Sequence, residues 1–262
     1  MKTVQRAIDL LEFFSAERPT LSVSEIAQLL SVHKSIASRL AASLCARHLL
    51  QLDNATHRYR VGIRVYELGQ LYSHDTELEV VAEPLLRALT RSVGHASHVC
   101  VLDNMEIYTV CCVPSAQRLQ VIVEVGGRRP LHATAAGKLF LAYGPEELFD
   151  ALSPNGKFPK ITTRTIESRI AMRREIAVIK KYGIAHNREE SYAGASAVAA
   201  PIYSDDSVII ASLTTIFPVA LVTPSDMLQI ETEVRETARR ITEGLSKHTK
   251  QHHPKPLRRI SS

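Results

Sequence analysis

The chain reads as an α+β protein in two parts, an N-terminal cluster of short helices closed by a β-hairpin and a larger C-terminal domain on an antiparallel sheet. Two observations carry this. Within the first sixty residues, apolar side chains recur at helical spacing three times and then give way to two short alternating runs around a polar turn. Beyond residue 96, strand-like runs follow one another directly, with helical segments grouped between and after them, which argues against a doubly wound parallel sheet.

The first helix is expected over 3–16, where Val4, Ala7, Ile8 and Leu11 share one face, Thr3 is a candidate cap and Pro19 lies beyond the end. Ser22-Val23-Ser24-Glu25 has the form of a capping box, so a second helix starts there and buries Ile26, Leu29 and Leu30. After a turn at Leu30-Ser31-Val32, a third helix turns Ile36, Leu40 and Leu44 inward, with small Ala37 and Ala41 beside them. Its other face shows Lys34, Ser35, Ser38, Arg39 and Ala42, short polar groups and cations that suit the major groove of DNA. An ordinary solvated face has the same composition.

The hairpin adds weight to the DNA reading. Leu49–Leu52 and Arg58–Val61 flank the turn-rich Asp53-Asn54-Ala55-Thr56-His57, which gives helix, helix, turn, helix and basic hairpin, the winged helix-turn-helix order. A wing so placed sets Arg58 or Arg60 on the phosphate backbone. The formal charge of +5 is matched by Lys247, Lys250, Lys255, Arg258 and Arg259 in an acid-free tail, so most of the chain is neutral on balance. Residues 31–64 are the exception, carrying Lys34, Arg39, Arg47, Arg58, Arg60 and Arg64 against Asp53 alone.

Gly62–His74 and then Leu78, Val81, Leu85, Leu86 and Leu89 continue a helical period to about Ser92. Strands are expected at 96–102, 105–113, 118–125, 184–190, 195–203 and 207–216, and helices at 136–152, 166–182 and 225–247. No apolar run approaches the roughly 18 residues of a spanning helix and no secretory block follows the N-terminus, so a soluble cytoplasmic protein is expected. Cys45, Cys100, Cys111 and Cys112 have no zinc-ribbon spacing and read as reduced thiols. His98 and Cys100 share a strand face while His95 points away, so a metal site is a minor reading and none is expected. The nucleophile-elbow, phosphate-loop and His-Glu-x-x-His patterns are missing, and neither an enzyme nor a cofactor is expected.

Several strings together resemble the IclR family of bacterial regulators: Val4-Gln5-Arg6-Ala7, Ser24-Glu25-Ile26-Ala27, Lys34-Ser35-Ile36-Ala37-Ser38-Arg39-Leu40 and Tyr59-Arg60-Val61-Gly62. The most specific is Gly126-Gly127-Arg128-Arg129-Pro130-Leu131-His132-Ala133-Thr134-Ala135-Ala136-Gly137-Lys138, joined by Gly183-Ile184-Ala185 with Glu189-Glu190 and Gly194, Ala199-Ala200-Pro201-Ile202 and Ser212-Leu213-Thr214-Thr215. The likeness covers about residues 3–245. It departs at Leu30-Ser31-Val32-His33-Lys34-Ser35-Ile36, which lacks the Gly and Pro usual ahead of the recognition helix; that bears on the operator sequence, not on the fold.

The resemblance implies a DNA-binding domain at 1–60, a linker helix at 61–76, a GAF-like effector-binding domain at 77–247 and a basic tail at 248–262, for which disorder is expected. DNA contacts are expected at Arg6, Ser24, His33, Lys34, Ser35, Ser38, Arg39 and Arg58. Thr134 opens a helix and either simply caps it or, as the resemblance implies, opens an effector pocket with backbone contacts at Ala135 and Ala136 and side chains Asn187, Ala197, Thr214 and Ile216. Where well-known members present an acid, a thiol and two hydroxyls to small keto-acids, these four side chains are less polar, so a larger aromatic or medium-chain organic acid is expected. The implied partners are a double-stranded DNA operator and a second copy, as a homodimer or dimer of dimers, with no membrane. The direction of regulation depends on operator position. The alternative is a ligand sensor or small-molecule enzyme whose DNA-binding domain has degenerated.

Overall fold

The computed structural model describes residues 2–15, 17–74, 77–153 and 156–252. It divides into two compact units, Met1–Thr76 and Glu77–Ser262.

In the first unit, α1 (Lys2–Glu12), α2 (Val23–Leu29) and α3 (Lys34–Cys45) enclose a core of Leu10, Leu21, Ile26, Ala37, Leu40, Ala41, Leu44, Leu50 and Tyr59. Ser22 starts α2 as expected: its hydroxyl accepts from Glu25 N, while Glu25 Oε2 accepts from Ser22 N at 2.7 Å. Helix α1 is shorter than its sequence period and stops at Glu12. Its stripe is also only partly inward, because Leu10 is fully buried whereas Val4 and Ile8 are 66% and 47% exposed. The hairpin strands β2 (Leu50–Asp53) and β3 (Arg58–Val61) gain a third partner that the sequence did not signal, β1 (Thr20–Ser22). It pairs antiparallel with β3, giving the order β1-β3-β2. Helix α4 (Ile63–His74) follows, with Ile63, Tyr66 and Leu68 exposed.

The second unit is a three-layer sandwich. Its middle layer joins β4 (Ala96–Asp103), β5 (Glu106–Val113), β6 (Arg128–Pro130), β7 (Ala185–Arg188), β8 (Ala195–Tyr203) and β9 (Ile209–Pro218) in the antiparallel order β6-β5-β4-β9-β8-β7. Helices α5 (Glu77–Val93) and α9 (Pro224–His252) cover one face through Leu86, Leu89, Val99, Val198, Leu213, Val234 and Ile241. Helices α6 (Ala135–Tyr143), α7 (Glu146–Leu152) and α8 (Arg169–Tyr182) cover the other through Leu139, Phe140, Phe149, Met172, Ile179 and Ala199. Among the described residues no helix is long and apolar enough to cross a membrane.

Three departures from the sequence reading shape this unit. Residues 118–125 form no strand; Val121, Ile122 and Val123 instead line a cavity wall, Ile122 while largely exposed, and Leu119 and Val125 are exposed. The edge of β5 is completed by the shorter β6. The expected helix over 136–152 is two helices, because Pro145 takes an extended backbone at the N-cap of α7, just after the Gly144 amide closes the end of α6 on Phe140 O. At the C-terminus α9 continues through His252, past the expected end at 247, and residues 253–262 of the basic tail lie outside the described residues.

Candidate DNA-binding face and effector pocket

On α3 the side chains of Lys34, Ser35, Ser38, Arg39 and Ala42 all lie on the exposed face, opposite buried Ala37, Leu40, Ala41 and Leu44. Neither Lys34 nor Arg39 has an ion-pair partner among the described residues. His33 occupies the N-cap position in an extended conformation, exposed and with no side-chain capping bond. Ser24 is exposed in the first turn of α2, and Arg6 is half-buried on α1.

Arg58 is placed otherwise than the sequence suggested. Its Nε donates to Thr20 Oγ1 at 2.8 Å, and Nη2 donates to Thr20 O at 3.1 Å and lies 2.9 Å from Glu25 Oε2. The cause is β1: Ser22 is the register partner of Arg58, so the guanidinium lies over the start of α2, where Glu25 stands. Hydrogen bonds from the Ser22 side chain and backbone, followed by Arg58, hold the Glu25 carboxyl down at about 2. Arg60 is likewise engaged, with Nη2 3.0 Å from Gln51 Oε1.

In the second unit a cavity of 260 Å³ opens between the sheet and the start of α6. Ala135, Ala136, Asn187, Ala197, Thr214 and Ile216 all line it. Sheet register explains why: Asn187 pairs with Ala197 and Ala197 with Ile216 on one rung, while Ala199, Thr214 and His98 align on the next rung toward β5. Positions two apart on a strand share a face, so Thr214 stands beside Ile216, and Cys100 follows His98.

Thr134 caps α6, its Oγ1 accepting from Gly137 N at 3.0 Å and donating to Pro130 O at 3.0 Å. The Ala135 and Ala136 amides, the next two donors of the helix, have no partner among the described residues. Asn187 differs from expectation in chemistry though not in place. Its Oδ1 accepts from Glu190 N at 2.8 Å and its Nδ2 donates to Ser191 Oγ at 2.7 Å, so much of the amide is spent shaping the loop after β7.

Sequence reasoning missed other lining residues, among them Thr109, Val121, Val123, Arg129, Ser191 and Tyr192. Arg129 makes one hydrogen bond, to Arg128 O at 3.1 Å, and has no carboxylate partner among the described residues. Burial, and then the Arg129 charge, hold the His98 imidazole down at about 4, while burial pushes the Cys100 thiol up to about 12. The Cys100 Sγ hydrogen-bond partner is Thr109 Oγ1, at 3.7 Å, and not His98. Among the described residues no three His, Cys, Asp or Glu side chains gather as a metal-ion set. Two polar atoms on this wall, His98 Nδ1 and Thr214 Oγ1, are buried without a hydrogen-bond partner.

A winged helix-turn-helix whose cationic helix face is unpaired among the described residues, joined in sequence to a sheet domain holding a small cavity, defines a ligand-responsive DNA-binding regulator. Residues 3–54 match the family model of the IclR helix-turn-helix domain and residues 70–243 that of the bacterial transcriptional regulator IclR C-terminal domain. The chain belongs to the IclR family of transcriptional regulators, with a helix-turn-helix domain and a C-terminal effector-binding domain. Among curated proteins it is 27% identical to the HTH-type transcriptional regulator XynR of Escherichia coli, over 82% of this chain and 85% of that one. Among solved structures, Thermotoga maritima IclR matches with a TM-score of 0.78 and 24% identity, covering 94% of this chain and 99% of that one. An IclR homologue from Microbacterium hydrocarbonoxydans, solved with 4-hydroxybenzoate, matches with a TM-score of 0.84 at 24% identity, with the same coverage of 94% and 99%.

Proposed function

We propose that this regulator reads operator DNA with Lys34, Ser35, Ser38 and Arg39 of α3, aided by Arg6, Ser24 and His33, and that an organic acid in the second-unit cavity changes its operator affinity. The observation that carries the effector half is the pair of Ala135 and Ala136 amides at the positive end of α6, without a partner among the described residues and opening into a cavity otherwise lined largely by apolar groups. At 260 Å³ the cavity is smaller than a typical drug-sized pocket, which favours a compact acid with an apolar body, aromatic or of medium chain length. The 4-hydroxybenzoate in the Microbacterium homologue supports that choice.

The protein acts in the cytoplasm as a symmetric dimer or dimer of dimers. Two recognition helices then meet two half-sites, and exposed Val4 and Ile8 on α1 with Ile63, Tyr66 and Leu68 on α4 offer apolar surface for a second copy to cover. The cavity serves as a receptor and not an active site: among the described residues the Cys100 thiol is partnered by Thr109 Oγ1 at 3.7 Å and not by His98. Fluorescence anisotropy on DNA flanking the protein's own gene tests the DNA half: Arg39→Ala weakens specific binding by about tenfold or more. Isothermal titration tests the effector half, and tighter binding of glyoxylate or pyruvate than of aromatic acids contradicts it.

A further inference from the structure

We propose that the outward face of α8, in the second unit, is a sequence-independent DNA-contact surface on which Arg174, Lys180 and Lys181 meet the phosphate backbone.

The face follows from the helix's own pattern. Ser168 caps α8, Gly183 ends it in a left-handed conformation, and Met172 and Ile179 are its buried side chains. Arg174 and Lys181 each stand two residues after one of those positions, about 200° round the helix, which puts both on the opposite side. The two are about 10 Å apart along the axis, with the small, exposed Ala177 between them and exposed Lys180 beside Lys181. Successive phosphates of one DNA strand advance about 3.4 Å along the duplex, so this span matches about three of them.

What separates this face from an ordinary solvated helix is where the counter-charges go. Helix α8 carries Arg169, Arg173, Arg174, Lys180 and Lys181 against one acid, Glu175. Glu175 turns inward to Lys138 Nζ at 3.0 Å, so it neutralises nothing outside. Arg169 and Arg173 turn to α7, where Arg169 pairs with Asp150, Arg173 Nη2 lies 2.6 Å from Glu146 Oε1 and both guanidinium groups stack on Phe149. Arg174 and Lys180 have no ion-pair partner among the described residues, and Lys181 Nζ has the Tyr182 ring, 4.9 Å from its centre. Lys180 and Lys181 also suit the negative end of the helix, but Arg174, in its middle, has no such role.

The charge selects the partner. A second copy presents the same cations and is repelled, whereas DNA is the polyanion that this family of regulators binds. Exposed cations add affinity there by releasing counterions. Ile170 and Val178, 68% and 50% exposed, flank the cations and are the anchors a protein partner would use instead.

Fluorescence anisotropy of the full-length protein on a duplex without an operator, from 50 to about 200 mM salt, tests this. The variant R174A/K180A/K181A lowers the slope of log affinity against log salt by about two to three. The variant R87A/R91A/R240A removes the same charge from α5 and α9 and leaves the slope close to wild type. A photoreactive benzophenone side chain introduced at position 177 crosslinks to the duplex on irradiation, less so as salt rises. An unchanged slope in the α8 variant, an equal fall in both variants, or no crosslink to DNA overturns the surface. Crosslinks from position 177 to protein alone mark a protein-docking face and overturn it too. The loss of specific binding in Arg39→Ala is read separately, so the reading of α3 stands or falls by itself.

Discussion

Lys138 Nζ lies 2.7 Å from Glu190 Oε1 and 3.0 Å from Glu175 Oε1, with the Lys138 side chain wholly buried and that of Glu190 only 4% exposed. This pair ties α6 to the loop after β7. Glu190 in turn donates its N–H to Asn187 Oδ1 and accepts from Arg188 N, so the two walls of the cavity are fastened to each other through one ammonium. Lys138→Met leaves a buried carboxylate without its cation and is expected to lower the stability of the second unit by about 3–5 kcal/mol. Adding Glu190→Leu recovers part of that loss. Urea denaturation of the single and double variants checks both, and additive losses contradict the pairing.

Gly137 fills a second tight place at the same helix start. A β-carbon there would come within 2.1 Å of Leu131 O, a backbone atom that cannot swing aside. Alanine ordinarily favours a helix over glycine by about 1 kcal/mol. Here the sign reverses, and Gly137→Ala is expected to destabilise by roughly 2 kcal/mol or more. A thermal midpoint equal to or above wild type contradicts this.

The wing has its own acid dependence. The folded chain holds Glu25 at about 2, below its ordinary 4.5, so as pH falls the unfolded chain takes up the proton first. The stabilisation is fully present above 4.5 and is lost as pH falls through about 2. Glu25→Gln and Arg58→Ala are both expected to reduce it, and both to weaken DNA binding through a looser wing. Had Arg58 served phosphate alone, Glu25→Gln would leave affinity unchanged or raise it. Acid titration by circular dichroism and anisotropy on DNA together separate the two roles.

His98 works in a different pH window of the second unit. Folding holds it at about 4 where the free imidazole stands at 6.5, so between those values the unfolded chain binds a proton that the folded chain refuses. Stability therefore falls as pH drops from 6.5 towards 4, by up to roughly 3 kcal/mol, and is unaffected by this group above 7. Urea midpoints from pH 7.5 to 5 measure the slope, and His98→Asn flattens it. An unchanged slope in that variant contradicts a buried neutral imidazole.

The parts most legible in the sequence are those governed by local chemistry. The Ser22–Glu25 box, the two faces of α3, the hairpin and the strand alternation that seats His98 beside Cys100 all follow from neighbours a few residues apart. Strand β1 was not legible because three residues, Thr20–Ser22, carry too little pattern; only its pairing with β3 makes it a strand, and that pairing sets Arg58 against Thr20 and Glu25. The apolar run at 118–125 misled because a cavity wall selects apolar side chains as a sheet does. The placing of six pocket residues came from family resemblance. Asn187's engagement with Ser191 and Glu190, and the lack of a carboxylate partner for Arg129 among the described residues, are set by tertiary packing, which spacing alone does not encode.

The central claim is that α3 binds an operator and that the cavity ligand alters the binding. Footprinting on the DNA next to the protein's own gene, with and without an aromatic acid and across a salt series, tests it most directly. A protected, salt-sensitive site with two half-sites is expected, lost in Arg39→Ala and changed in affinity by the acid in wild type. Protection that is absent at every salt concentration, or that persists unchanged in Arg39→Ala and with the acid present, contradicts it.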